Sequence, residues 1–182
     1  MSLQKLRIAV VAVFVAVAFF AFAGNARAEI KIGVVDFQTV VAKSKAGQGL
    51  QKQLDTVQKN FQDELKKQDD ALKATQAQLG KEQEAAKSSA DYIQKKADFE
   101  KKVAEARQNI TKKKDTIEKA AAGALNDLKT EITKVAADVA QKNGYNIVLN
   151  RPVVVLSDPG MDMTDAVLKA FDAKVTKIDL KI

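Results

Sequence analysis

From Leu50 to Asn143 the chain runs 94 residues without a proline and with only two glycines, Gly80 and Gly123. Proline inside a helix removes a backbone donor and clashes with the preceding turn, so a stretch free of it can stay helical throughout. Large apolar side chains (Val, Ile, Leu, Met, Phe, Tyr) number 18 in this stretch, against 24 in the 60 residues of 29–49 and 144–182. A segment so lean cannot enclose a core of its own. The two flanks, distant in sequence, must meet to form the hydrophobic body, and the middle must leave that body and return to it.

Apolar spacing gives the middle its form. Leu50, Leu54, Val57, Phe61, Leu65, Leu72 and Leu79 recur at steps of four, three, four, four, seven and seven, one stripe of a helix with coiled-coil character. Val103, Ala106, Ile110, Ile117, Ala121, Ala124, Leu128, Ile132, Val135 and Val139 repeat the pattern further on. Two narrow stripes joined by a turn predict an antiparallel helical hairpin over 50–143. The turn is expected between Gly80, which interrupts the first stripe, and Asp91, since Ser88-Ser89-Ala90-Asp91 resembles a capping box. A first arm of roughly 37 residues would reach about 55 Å at ~1.5 Å per residue. Asn143-Gly144 is the expected C-terminal cap of the return helix.

The flanks, 29–49 and 144–182, read as a β-rich association body. Ile32 and Val34 alternate with Gly33 and Val35 in a short strand, Asp36 suits a helix N-cap, and Gly47 and Gly49 mark a joint before the arm. Tyr145 to Leu149 and Val153 to Leu156 read as two further strands, followed by a helix from Thr164 to Lys174. Val153 to Leu156 is apolar on both faces, which calls for cover that one chain does not supply, so self-association is the physical expectation. Lys177 to Ile182 alternates again and is predicted to add an edge strand. The expected class is therefore α+β, a long helical hairpin projecting from a small β body and completed by association.

The first 28 residues stand outside this fold. Lys5 and Arg7 precede an apolar run from Ile8 to Ala23, and Ala26 and Ala28 occupy the small-residue positions of a secretory signal, placing the expected cut between Ala28 and Glu29. Removing Lys5, Arg7 and Arg27 lowers the net charge from +7 to +4, too little to single out nucleic acid as a partner. The chain has neither cysteine nor histidine. That excludes disulfides, thiol nucleophiles, His-based triads and the common zinc sites, and no other constellation of residues supports an enzyme.

Three segments resemble the Skp (OmpH-like) family of periplasmic chaperones for outer-membrane proteins: Lys31-Ile32-Gly33-Val34-Val35-Asp36, Asn143-Gly144-Tyr145-Asn146-Ile147-Val148-Leu149, and Asp162-Met163-Thr164-Asp165-Ala166-Val167-Leu168-Lys169-Ala170-Phe171. The resemblance implies a periplasmic homotrimer whose strands build a barrel-like body, with helical arms around a cavity that holds unfolded outer-membrane proteins. It implies no cofactor, neither nucleotide nor metal. Some members are proposed to bind lipopolysaccharide, and no motif here carries that property over.

The distal arm, Lys73 to Lys102, is where a client would be gripped. Its large apolar residues are only Leu79, Tyr92, Ile93 and Phe99, the candidate client contacts, of which Tyr92 and Phe99 are expected rather to pack within the hairpin. Lys95, Lys96, Lys101 and Lys102 would add attraction for acidic clients or an anionic membrane surface, although Glu82, Asp91, Asp98 and Glu100 among them favour a solvated face. Lys113 and Lys114 interrupt the stripe between Ile110 and Ile117 and predict a local loosening. The alternatives are a coiled-coil spacer of the cell envelope or a binder of lipopolysaccharide or other anionic surfaces. A sparse distal stripe argues against a rigid spacer.

Overall fold

The computed structural model describes residues 30–86 and 89–182. The predicted signal segment, with Ala28 and Glu29, lies outside the described residues. From Ile32 onward the chain forms one contact unit.

That unit opens with strand β1 (Ile32–Val35) and helix α1 (Phe37–Lys43). Asp36 caps α1 as its position predicts, accepting the Thr39 backbone N–H at 2.9 Å and the Thr39 hydroxyl at 2.7 Å. Helix α2 (Lys45–Ala86) is the outgoing arm, 42 residues or about 63 Å long. Helix α3 (Ala90–Lys142) returns over 53 residues. Strand β2 (Ile147–Asn150) then pairs in parallel with β1, Ile32 opposite Ile147 and Val35 opposite Asn150. Parallel strands need a long crossover, and here the whole hairpin serves as one. Helix α4 (Thr164–Lys174), the helix expected at those residues, closes the body.

The joint between α1 and α2 is Ser44, one turn earlier than the glycines that were expected to form it. Ser44 is extended at φ −66°, ψ 150°, which stops α1. Its buried hydroxyl accepts the Gly47 N–H at 3.1 Å, and Asp172 of α4 accepts the Lys45 N–H at 2.8 Å, so two side chains cap α2. Gly47 lies inside the helix, where a Cβ would stand 1.7 Å from the Val41 carbonyl oxygen. Its role is close approach, not a break.

At the far end the turn falls inside the predicted 80–91 window. Helix α2 continues through Gly80, and Ser89 caps α3 by accepting the Tyr92 N–H at 3.1 Å. The return helix ends as Asn143-Gly144 predicts: Gly144 takes φ +71°, and the N–H groups of Tyr145 and Gly144 reach the carbonyls of Ala140 and Gln141 at 2.9 and 3.3 Å.

The core sits where flanks and arm roots meet. Val35 and Val40, Ala46 and Leu50, the α3 face from Ala124 to Ala140, and Met163, Val167 and Phe171 form one buried cluster. Leu128, Ile132 and Phe171 are fully enclosed. Each such side chain contributes about 1.5–3 kcal/mol by leaving water. The body is thus more helical than its β-rich reading, because the last turns of the return helix supply much of its interior.

Two predicted strands do not form. Arg151–Val153 is a 3₁₀ turn with Pro152 inside it, and Val155 and Leu156 stand fully in solvent. Strand β1 holds β2 on one edge and the single bridge Val34–Asp162 on the other, and the 3₁₀ turn carries the apolar run away from β2, whose outer edge stays open. Lys177 to Ile182 forms no strand; a side chain of α2, Gln53, takes the place of a neighbouring strand at Ile178 and Leu180.

Candidate functional site

Two surfaces stand out, and both follow from the way the sequence distributes apolar residues. The first is a body edge. Of the ten large hydrophobics most exposed among the described residues, six fall between Ile147 and Met161: Ile147, Leu149, Val153, Val155, Leu156 and Met161. Exposed apolar surface is concentrated here in one short segment beside an open strand, the kind of surface that calls for cover. The loop carrying it is held in place by polar contacts, since Arg151 Nη1 donates to Ser157 Oγ at 3.0 Å and Asp158 Oδ1 accepts the Gly160 N–H at 2.8 Å. Deeper in, the Thr164 hydroxyl accepts the Asp36 N–H at 3.0 Å, and Asp162 Oδ1 accepts the Thr164 N–H at 2.8 Å. Hydrogen bonds from Thr39 hold the Asp36 carboxyl below its usual range, backbone first and hydroxyl second. Thr164 does the same for Asp162, hydroxyl first.

The second surface is the distal hairpin. From Leu54 outward the half-buried positions on α2 run 54, 57, 61, 65, 68, 72, 75, 79 and 82, a near-perfect alternation of threes and fours. This fills the seven-residue gaps seen in the sequence: Gln68 and Thr75 occupy the seam between Leu65, Leu72 and Leu79, and Glu82 continues it past Leu79. Up to Leu65 every seam position is apolar, and beyond it every second one is polar. A coiled-coil seam loses packing energy at each polar member, so the hairpin weakens outward.

The return helix answers with Tyr92, Phe99 and Val103, all half-buried. Phe99 sits between two clefts in the seam, one of about 240 Å³ shared with Leu79 and one of about 350 Å³ shared with Leu72. The ring therefore packs within the hairpin without filling it. Ile93 is 60 % exposed. Leu79, Tyr92 and Phe99 are brought into one seam, and Ile93 faces away from it into solvent.

The lysines divide in the same way. Lys95 pairs with Asp91 along α3 at 2.8 Å and with Glu82 across the hairpin at 3.1 Å, and both acids raise its pKa, Asp91 more. Lys96 and Lys101 approach Glu100 and Glu105 at 3.9 Å each, and Lys102 borders the smaller cleft beside Phe99. At mid-arm, where the stripe was expected to loosen, Lys113 reaches across to Glu64 of α2. A charged pair there replaces an apolar contact.

One feature escaped the sequence reading. The polar seam residues Gln68, Thr75 and Glu82 carry no apolar signal, yet their steps from Leu65, Leu72 and Leu79 complete the heptads and would have located the seam.

These features define a class: a body-and-arm protein, mostly helical, whose hairpin springs from a small two-stranded sheet. The chain belongs to the OmpH-like family, whose model, described as outer membrane protein (OmpH-like), matches residues 31–171. Among solved structures, it is similar to an OmpH-like protein from Caulobacter crescentus CB15 that was assigned as a candidate outer membrane chaperone. The two share 22 % identity and a TM-score of 0.76 over 82 % of this chain and 88 % of that one. No curated protein matches the sequence closely.

Proposed function

We propose that the protein is an ATP-independent holdase chaperone of the periplasm, which encloses unfolded outer-membrane proteins between its helical arms and keeps them from aggregating. The observation that carries this reading is the outward change of the hairpin seam from apolar to half polar. Arms firm at the root and thinly packed at the tip can open around clients of different size, and low packing density is the physical basis of such local opening. Weak, scattered contacts from Leu79, Tyr92, Ile93 and Phe99 would hold a client and release it quickly.

Residues 1–28 act as the export signal and are removed before Glu29. The body edge between Ile147 and Met161 joins three copies into a homotrimer, covering Val155 and Leu156 and supplying the strand partners that one chain lacks. Three arms then multiply individually weak contacts into avidity. An anionic-surface or lipopolysaccharide reading has less support, because Lys95, Lys96 and Lys101 each have an acidic neighbour within 4.0 Å.

The test is aggregation of a β-barrel protein diluted from urea. Purified protein should suppress light scattering at roughly one trimer per client without nucleotide, and a mass measurement should give the trimer. Unchanged scattering at severalfold excess would overturn the holdase reading. Raising the salt concentration separates the two kinds of grip, since an apolar one is nearly insensitive to it.

A further inference from the structure

The segment after α4 lies at the root of the hairpin, beyond the end of the family match at residue 171. Ile178 and Leu180 pack half-buried against the core cluster, while Lys177, Asp179 and Lys181 point outward. One side chain secures the backbone between them. Gln53 of α2 donates from Nε2 to the Ile178 carbonyl at 2.8 Å, and its Oε1 accepts the Leu180 N–H at 3.1 Å. A neighbouring strand would satisfy those same two backbone groups, so the amide acts as a one-residue strand edge. It reads the backbone of an extended peptide and ignores its sequence.

We propose that this root groove is a docking site for extended segments with alternating apolar and polar side chains, and that Val175–Ile182 occupies it in cis as a displaceable plug. Alternation at period two is the pattern of strands that line a membrane barrel, one face toward lipid and one toward the lumen. The plug carries that pattern itself from Lys177 to Ile182. Beyond Val175, which is half-buried and whose N–H still donates to the Phe171 carbonyl of α4 at 2.7 Å, its hold is slight: two hydrogen bonds from one amide, the half-buried Ile178 and Leu180, and a 3.9 Å approach of Lys181 to Asp127. A cleft of about 550 Å³ bordered by Thr130, Lys134, Val175 and Ile178 stays open beside it. The inference rests on the holdase reading for the identity of the competing partner.

A fluorescent peptide of the sequence Val175 to Ile182 tests it by anisotropy. A plug seated about nine-tenths of the time lowers apparent affinity about tenfold, so the double variant Ile178→Ser, Leu180→Ser should bind the peptide about tenfold tighter than the unaltered protein. A peptide of the same composition with its apolar residues in one block should not bind, and adding Gln53→Ala to the double variant should abolish the gain. Equal affinity in variant and unaltered protein, no binding by either, or equal binding of the block peptide overturns the proposal. Should the double variant not fold, hydrogen exchange of the Leu180 amide in the unaltered protein decides. Excess peptide should expose that amide, and unchanged protection overturns the idea. Aggregation suppression with no gain in the variant overturns this proposal and leaves the holdase reading; a gain without suppression removes the holdase reading and leaves the groove.

Discussion

The root and the tip of the hairpin are made of the same two helices, yet they obey different physics. At the root, Leu50, Leu128, Ile132 and Val135 are buried together with α1 and α4, so the arms share the core of the body. Toward the tip the helices have only each other, and Gln68, Thr75 and Glu82 take every second place in their seam. Continuous helix does not imply uniform stability. Secondary structure here is set by propensity and the absence of breakers, whereas firmness is set by how many apolar partners each turn finds.

The comparison can be broken by substitution. Leu128→Ala opens a cavity in the fully enclosed root and is expected to destabilise the whole protein by about 3 kcal/mol, read as a lower midpoint in urea. Gly47→Ala drives a methyl group into the Val41 carbonyl and should cost about 2 kcal/mol in the same measurement. Leu79→Ala, in the half-buried tip, should cost no more than about 1 kcal/mol and leave the midpoint of the body transition in place. If Leu79→Ala lowers that midpoint as much as Leu128→Ala, root and tip form one cooperative unit and the distinction fails.

Charge sharpens the contrast at smaller magnitude. The carboxyls of Asp36 and Asp162 are held below their usual range in the folded state, so their unfolded forms bind protons first as pH falls. Their stabilisation is complete above about pH 4 and is lost as pH drops through the lower folded values. Asp36→Asn and Asp162→Asn should therefore flatten the acid limb of a melting-temperature profile measured below about pH 4. Asp138, whose carboxyl is lowered by exposed Lys174, should contribute little when changed to Asn. The mid-arm pair is weaker still. Lys113→Ala should alter stability by less than about 0.5 kcal/mol, because both partners are substantially exposed.

Most of the architecture is legible in the sequence. The hairpin followed from spacing and the missing prolines, and the caps at Asp36 and Asn143-Gly144 followed from local chemistry that tertiary contacts do not override. Where reading and structure part, a distant partner decided the outcome. Ser44 ends α1 because Asp172, 128 residues away in sequence, helps cap the next helix. Val153 to Leu156 has the composition of a strand, but the 3₁₀ turn at Arg151–Val153 leads it away from the open edge of β2. Lys177 to Ile182 has the alternation of a strand and finds a glutamine instead. At the candidate grip, Leu79, Tyr92 and Phe99 were visible as rare apolar residues, but the seam joining them was not, since half of it is polar.

Amide hydrogen exchange along the two helices tests the central claim most directly. Amides from Leu128 to Ala140 should exchange only with global unfolding, and those between Leu72 and Gly80 and between Tyr92 and Phe99 should exchange on the order of a hundredfold faster. Equal protection from root to tip would contradict the account, because arms of uniform stability could not yield at their ends to a client.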